Sequence, residues 1–132
     1  MTKKSWVDEV KFDSAGLVPA IVQDAKTGQV LMMAYMNRES LQKTLRSGKT
    51  HFYSRSRKKM WLKGESSGHI QRVKRIALDC DGDAILVSAL QTGGACHTGY
   101  RNCFFRVLKG GKRWQEKGRK LFDPSKVYGA KE

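Results

Sequence analysis

The stretch "RIALDCDGDAILVSAL" (Arg75–Leu90) decides the fold class. Ile76, Leu78 and Cys80 occupy alternate positions and share one face of an extended segment, the period of a strand and not of a helix. Asp81 and Gly82 are a strong hairpin signal, and "AILVSAL" returns as a second, apolar strand. Upstream, "HFYSRSRKKMWLKGE" (His51–Glu65) sets aromatic and β-favouring residues among basic ones and also reads as extended. "GLVPAIVQDAKTGQVLMMAYMN" (Gly16–Asn37) gives two short apolar strands around a turn at Lys26, Thr27 and Gly28. Helical character is concentrated in "RESLQKTLRS" (Arg38–Ser47): Asn37 is placed to cap it, Leu41 and Leu45 fall on one face, and Gly48 ends it. The expected fold is mainly β, of the α+β kind, with one main helix.

With 132 residues the chain suits a single domain that can bury a core without disulfide staples. Its 26 Lys plus Arg against 12 Asp plus Glu leave a formal charge of +14, a surface that attracts nucleic acids, phospholipids or phosphorylated metabolites. The N-terminal "MTKKSWVDEVKF" lacks the apolar core of a signal peptide, and no apolar run is long enough to span a bilayer. A cytoplasmic protein without membrane contact is expected. From about Lys109 the sequence turns to a basic tail, "KGGKRWQEKGRKLFDPSKVYGAKE", expected to be mobile or to lie along the surface.

All three cysteines fall between Cys80 and Cys103. In a reducing compartment an odd set favours a metal site, a nucleophile or core packing over disulfides. Fifteen residues separate Cys80 from Cys96 and six separate Cys96 from Cys103, so there is no Cys-x-x-Cys knuckle; zinc binding and buried thiols both fit the spacing. Three ligands leave a zinc open to water, and His97 is disfavoured as a fourth because neighbours in an extended segment point to opposite sides. Asp79, Asp81 and Asp83 alternate, so an extended segment would gather their carboxylates on one face and turn Cys80 to the other, implying two sites. Three carboxylates together suit a hard cation such as magnesium; the competing reading is a solvated acidic turn. An EF-hand is excluded, since Ala84 and Leu90 stand where its loop needs Gly and Glu.

"GESSG" (Gly64–Gly68) formally matches a nucleophile elbow centred on Ser66, but it lacks the preceding apolar strand and the following helix. It reads better as a flexible loop whose amides and hydroxyls meet an anion, with a plain surface loop as the alternative. In "YSRSRKK", Arg55 and Arg57 share a face if extended, which suits bidentate phosphate contacts as well as an ordinary charged strand face. Trp61 suits a purine platform or the core.

Taken in order, "SRSR", "MWLKGESSGHIQ", "DCDGDAIL" and "GGACHTGYRNCF" resemble the phosphoribosyl-AMP cyclohydrolase family of histidine biosynthesis, over roughly Val10 to Leu108. Asn102 departs from the family pattern, standing where Ser is usual. The resemblance implies a compact strand-rich pseudo-barrel working as a homodimer, with residues 1–132 as one cyclohydrolase domain. Because the chain ends without the pyrophosphohydrolase domain fused in some relatives, only the cyclohydrolase step is expected. By the same resemblance Cys80, Cys96 and Cys103 hold one zinc per subunit, Cys80 reaching across the dimer interface, and Asp79, Asp81 and Asp83 hold magnesium.

The substrate is then a phosphorylated nucleotide whose ring carbon 6 is attacked by zinc-activated water. His97, beside Cys96, is expected to transfer the proton, with a purely structural histidine as the alternative. Arg55, Arg57 and Lys63 are expected at the phosphates, with Glu65 and Ser66 completing the substrate-binding set. The rival class is a basic nucleic-acid-binding module with a structural zinc, which the charge and "HFYSRSRKKMW" would suit. The acidic triplet, the absence of a nucleic-acid motif and the lack of a closed four-ligand set oppose it, so no specific nucleic-acid partner is expected. A thiol redox protein is opposed by the missing Cys-x-x-Cys.

Overall fold

In the computed structural model, which describes residues 5–128, strand β1 (Val18–Asp24) occupies the centre of a four-stranded mixed sheet. It pairs antiparallel with β2 (Val30–Met36) through the expected turn, and parallel with β6 (Ile85–Gln91), Ala20 lying opposite Ile85. Strand β5 (Gln71–Leu78) is antiparallel to β6, giving the order β2-β1-β6-β5. Both hairpins legible in the sequence therefore form. The parallel β1–β6 pair joins them into one sheet.

Period-two alternation sets the core. Val18, Ala20 and Val22 from β1 and Ile85, Val87 and Ala89 from β6 are buried, together with Leu31, Met36 and Phe52. Each large apolar side chain so buried contributes about 1.5–3 kcal/mol. The main helix, α1 (Arg38–Ser47), begins at Asn37, whose side chain accepts from the Ser40 amide at 2.8 Å, and ends at Gly48 in the left-handed region, φ 73°. Leu41 is fully buried but Leu45 is 52% exposed, which corrects the shared apolar face. The helix leans on the next strand through its Ser40–Thr44 edge: the Thr44 hydroxyl donates to Ser40 O at 2.8 Å and accepts from the His51 amide at 2.9 Å.

The expected pseudo-barrel is likewise corrected. Strands β3 (His51–Ser54) and β4 (Lys59–Leu62) form a separate hairpin, as do β7 (Arg106–Lys109) and β8 (Arg113–Glu116), and no closed barrel exists among the described residues. A barrel needs an unbroken ladder around its circumference. Here the link between the β3 segment and β5 is the Lys49–Arg72 bridge, with bonds from Thr50 N to Gln71 O and from Val73 N to Gly48 O. Buried polar groups reinforce it: the Thr50 hydroxyl donates to Gln71 Oε1, and Gln71 Nε2 donates to Gln91 Oε1, both at 2.8 Å.

The basic tail runs along the surface as the β7–β8 hairpin, a loop and a short helix, α2 (Pro124–Tyr128). Among the described residues no helix is long and apolar enough to cross a membrane.

Candidate active site

Two adjoining clefts open beside the β3–β4 hairpin. The smaller, about 340 Å³, is lined by Arg57, Trp61, Lys63, Glu65, Ser66 and His97, among others, so it brings together five residues singled out in the sequence as site candidates, with Trp61 beside them. The larger, about 760 Å³, shares Arg57 and Trp61 with it and adds Arg55, Tyr35 and Tyr53. The strand–turn–strand of β3 and β4 positions these groups. Residues 55–58 are a turn and not the extended run expected, with the Arg57 amide donating to Ser54 Oγ at 3.2 Å. Both arginines nevertheless face the larger cleft, and the Arg55 guanidinium lies 4.1 Å from the Tyr35 ring centroid. Trp61 fulfils the packing role and is placed for the other: it packs on Phe52 across the hairpin, centroids 5.0 Å apart, and walls both clefts.

The loop after β4 turns at Gly64, where a Cβ would come within 2.7 Å of the His69 and Ile70 backbone. Glu65 and Ser66 are exposed at the cleft, and the chain continues as coil into β5, so the hydrolase elbow is absent as expected. Lys63 is buried, in contrast to the usual behaviour of lysine. Its Nζ donates to Ala95 O at 2.5 Å, and burial lowers its pKa against the opposing pull of Cys103 and Cys96. The residue thus touches the cysteine loop as well as lining the cleft.

That loop, residues 92–103, starts where β6 ends. Its chain folds back on itself through bonds from Ala95 N to Arg101 O and from Cys96 N to Tyr100 O, and Cys103 N donates to Leu31 O at 2.7 Å. Cys96 is buried and Cys103 exposed, yet the two thiols are hydrogen-bonded. The neighbouring Cys103, helped by Thr98, holds the Cys96 thiol below its ordinary pKa, and Cys96 in turn pushes Cys103 above its own. A thiolate poised in this way fits a soft divalent cation. His97, next to Cys96, is exposed and lines the smaller cleft. Asn102 Oδ1 accepts from the Phe104 amide at 2.7 Å, an Asx turn that a serine could also make more weakly.

Cys80 lies elsewhere. "DCDGD" is the turn between β5 and β6, closed by bonds from Gly82 N to Asp79 O and from Asp83 N to Asp79 Oδ1, the latter at 3.0 Å. Because the segment turns, the alternation expected of an extended run is lost: the ligand atoms of Asp79, Cys80 and Asp81 all lie within 4.8 Å of one another. Asp83 stands outside this group and gives its amide to Asp79, the main cause of that carboxyl's lowered pKa. The group is exposed, and the whole length of β6, about 20 Å at a strand's rise, separates it from the cysteine loop.

One residue that fastens the cysteine loop carried no signal in the sequence. Asp24, buried at the end of β1, is ion-paired with Arg101 of the cysteine loop. Asp24 alone reads as a turn-former, which it also is, accepting from the Lys26 amide at 2.8 Å.

A cleft lined by Arg57 and Lys63, with an exposed histidine beside a thiol pair, is the kind of site found in small strand-rich enzymes of anionic substrates. The family model described as phosphoribosyl-AMP cyclohydrolase matches residues 32–105. A protein of Chlorobaculum parvum named phosphoribosyl-AMP cyclohydrolase is 55% identical over 130 residues, 98% of this chain and 95% of its own length. Proteins of the same name from Methanococcoides burtonii and Methanoregula boonei are 55% identical over 122 residues and 57% identical over 120; the alignments cover 92% and 91% of this chain and 98% and 94% of theirs. The chain belongs to the phosphoribosyl-AMP cyclohydrolase family.

Proposed function

We infer that this chain hydrolyses phosphoribosyl-AMP, opening the adenine ring between nitrogen 1 and carbon 6 in histidine biosynthesis, with zinc at Cys80, Cys96 and Cys103 and magnesium at the aspartate turn. The observation that carries the reading is the gathering of Arg57, Lys63, Glu65, Ser66 and His97 around one cleft, beside the Cys96–Cys103 pair, in a chain of this family.

The second ribose phosphate on nitrogen 1 draws electrons from the ring and makes carbon 6 electrophilic. Arg55 and Arg57 hold phosphate in the larger cleft, where a guanidinium offers two parallel donors. Trp61 and Tyr35 give flat faces for the purine, and Glu65 and Ser66 accept from and donate to ribose hydroxyls at the mouth. Lys63 keeps its ammonium against Ala95 O and adds positive charge between phosphate and thiolates. Zinc, when bound, supplies a Lewis acid that brings the pKa of water to about 7. His97 takes one proton of the attacking water and returns it to nitrogen 1 as the bond from carbon 6 breaks, while the adduct's remaining hydroxyl proton passes to the exocyclic nitrogen, leaving carbon 6 as a carboxamide carbon.

A homodimer is supported by the placement of the thiols. Cys80 and the Cys96–Cys103 pair occupy opposite ends of β6, so a three-thiolate site is supported only between two chains. Hard carboxylate oxygens at Asp79 and Asp81 suit magnesium, with Asp83 completing the turn. Three free thiols suit the reducing cytoplasm.

Direct assay tests the reading: zinc-replete protein with magnesium should convert phosphoribosyl-AMP to the ring-opened carboxamide, followed by the change in ultraviolet absorbance. Zinc-replete, folded protein that leaves the purine ring intact overturns it.

A further inference from the structure

We propose that the segment Lys120–Phe122 is a strap that holds the cysteine-bearing loop in its ligand geometry, with Phe122 as its positioning residue. The inference rests on the zinc reading only for what the loop is held to do.

The loop needs an external brace. Residues 92–103 form neither helix nor strand, and at Gly93, Gly94 and Gly99 the backbone has no side chain of its own to pack. The strap fills the room at Gly94 and Gly99. Leu121 N donates to Gly99 O at 2.6 Å. A Cβ on Gly99 would come within 2.5 Å of Phe122 O and 3.3 Å of the Lys120 side chain, and a Cβ on Gly94 within 2.9 Å of the Phe122 ring. On its other contact Phe122 meets His69 edge to face, centroids 4.6 Å apart, and the His69 ring lies where a Cβ on Gly93 would approach to 2.7 Å. Phe122, His69 and the three glycines thus form one packed unit, with Cys96 between Gly94 and Gly99. The strap lies beyond residues 32–105, the segment that the family model covers.

An apolar shell that fixes ligand backbone and limits water access slows metal loss. Such a shell also protects loop amides whether or not metal is present. The test uses the full-length chain as wild type, Phe122→Ala, Phe122→Leu and Phe122→Tyr. In the metal-free proteins, hydrogen exchange at Ala95, Cys96 and Gly99 should be about tenfold faster in Phe122→Ala, while Val22 and Val87 of the sheet keep wild-type protection. Phe122→Tyr should restore the loop, and Phe122→Leu should fall between. After zinc loading, transfer of zinc to a chromogenic chelator should be about tenfold faster in Phe122→Ala and near wild type in Phe122→Tyr. Unchanged loop protection in Phe122→Ala, or equal loss in loop and sheet, overturns the strap. A wild-type chain that takes up no zinc overturns the zinc reading instead, and exchange in the metal-free proteins then decides the strap alone.

Discussion

Arg101 and Asp24 form an ion pair that fastens the cysteine loop to the end of the central strand. The carboxylate is 3% exposed and the guanidinium 35%, so only the acid is fully withdrawn from water. Arg101 also donates to Gly93 O, at 3.4 Å, so a single side chain bridges strand end and loop start.

Asp24→Asn should therefore cost about 1–2 kcal/mol of stability at neutral pH, less than a fully buried pair because the arginine is partly solvated. The Asp24 carboxyl sits below its ordinary pKa, chiefly through the Lys26 amide and also through Arg101, in spite of burial. A depressed acid stabilises the fold above its unfolded pKa and loses that contribution as pH falls through the folded value. Denaturant midpoints of wild type and Asp24→Asn should differ at pH 7 and converge in acid below about pH 4. A difference that persists there would show that the charge is not its source.

Purified protein should carry about one zinc per chain, and Cys96→Ser and Cys103→Ser should each lose most of it. Elemental analysis reads the outcome directly. Zinc content unchanged by both substitutions would remove the thiol pair from the site.

His97→Gln should lower kcat about 10²- to 10⁴-fold with little change in KM, the range for loss of a general acid–base group. His97 is exposed at the cleft, so its replacement should leave the thermal midpoint near that of wild type. If KM rises while kcat holds, the residue binds substrate and does not move the proton.

Cys80→Ser and Cys96→Ser dimers should each be inactive, because every site in them lacks one ligand. After subunit exchange a mixed dimer has one site with both defects and one intact. Random assembly then restores about a quarter of wild-type activity. No recovery, with exchange verified by mass spectrometry, places each site within one chain.

Much of this structure was legible because it depends on local pattern. The Asn37 and Gly48 caps, the turn at residues 26–28 and the Asp81–Gly82 hairpin all arise from side chains within a few residues of one another. Extended readings failed where a hairpin had to reverse: residues 55–58 and 79–84 turn, and the alternation argued for them disappears. Leu45 was misplaced because spacing gives the helix face but not how wide a stripe the sheet covers. Lys63 offered no hint of burial, since its partner, Ala95 O, comes from a loop far along the chain. For the same reason the Asp24–Arg101 pair was invisible. The residues around the cleft were found by type, whereas their convergence depends on long-range packing of the β3–β4 hairpin against the cysteine loop.

The parallel pairing of β1 with β6 also orders events during synthesis. Parallel neighbours cannot be joined by a tight turn, and here the helix, the β3–β4 hairpin and β5 all intervene. As the chain leaves the ribosome, β1 and β2 emerge early and can form a hairpin, but the other edge of β1 stays open until residue 91 is out. A two-stranded hairpin is marginal in water by itself. The nascent chain therefore carries an unpaired apolar edge until β6 emerges, and a net charge of +14 disfavours edge-to-edge association of such chains.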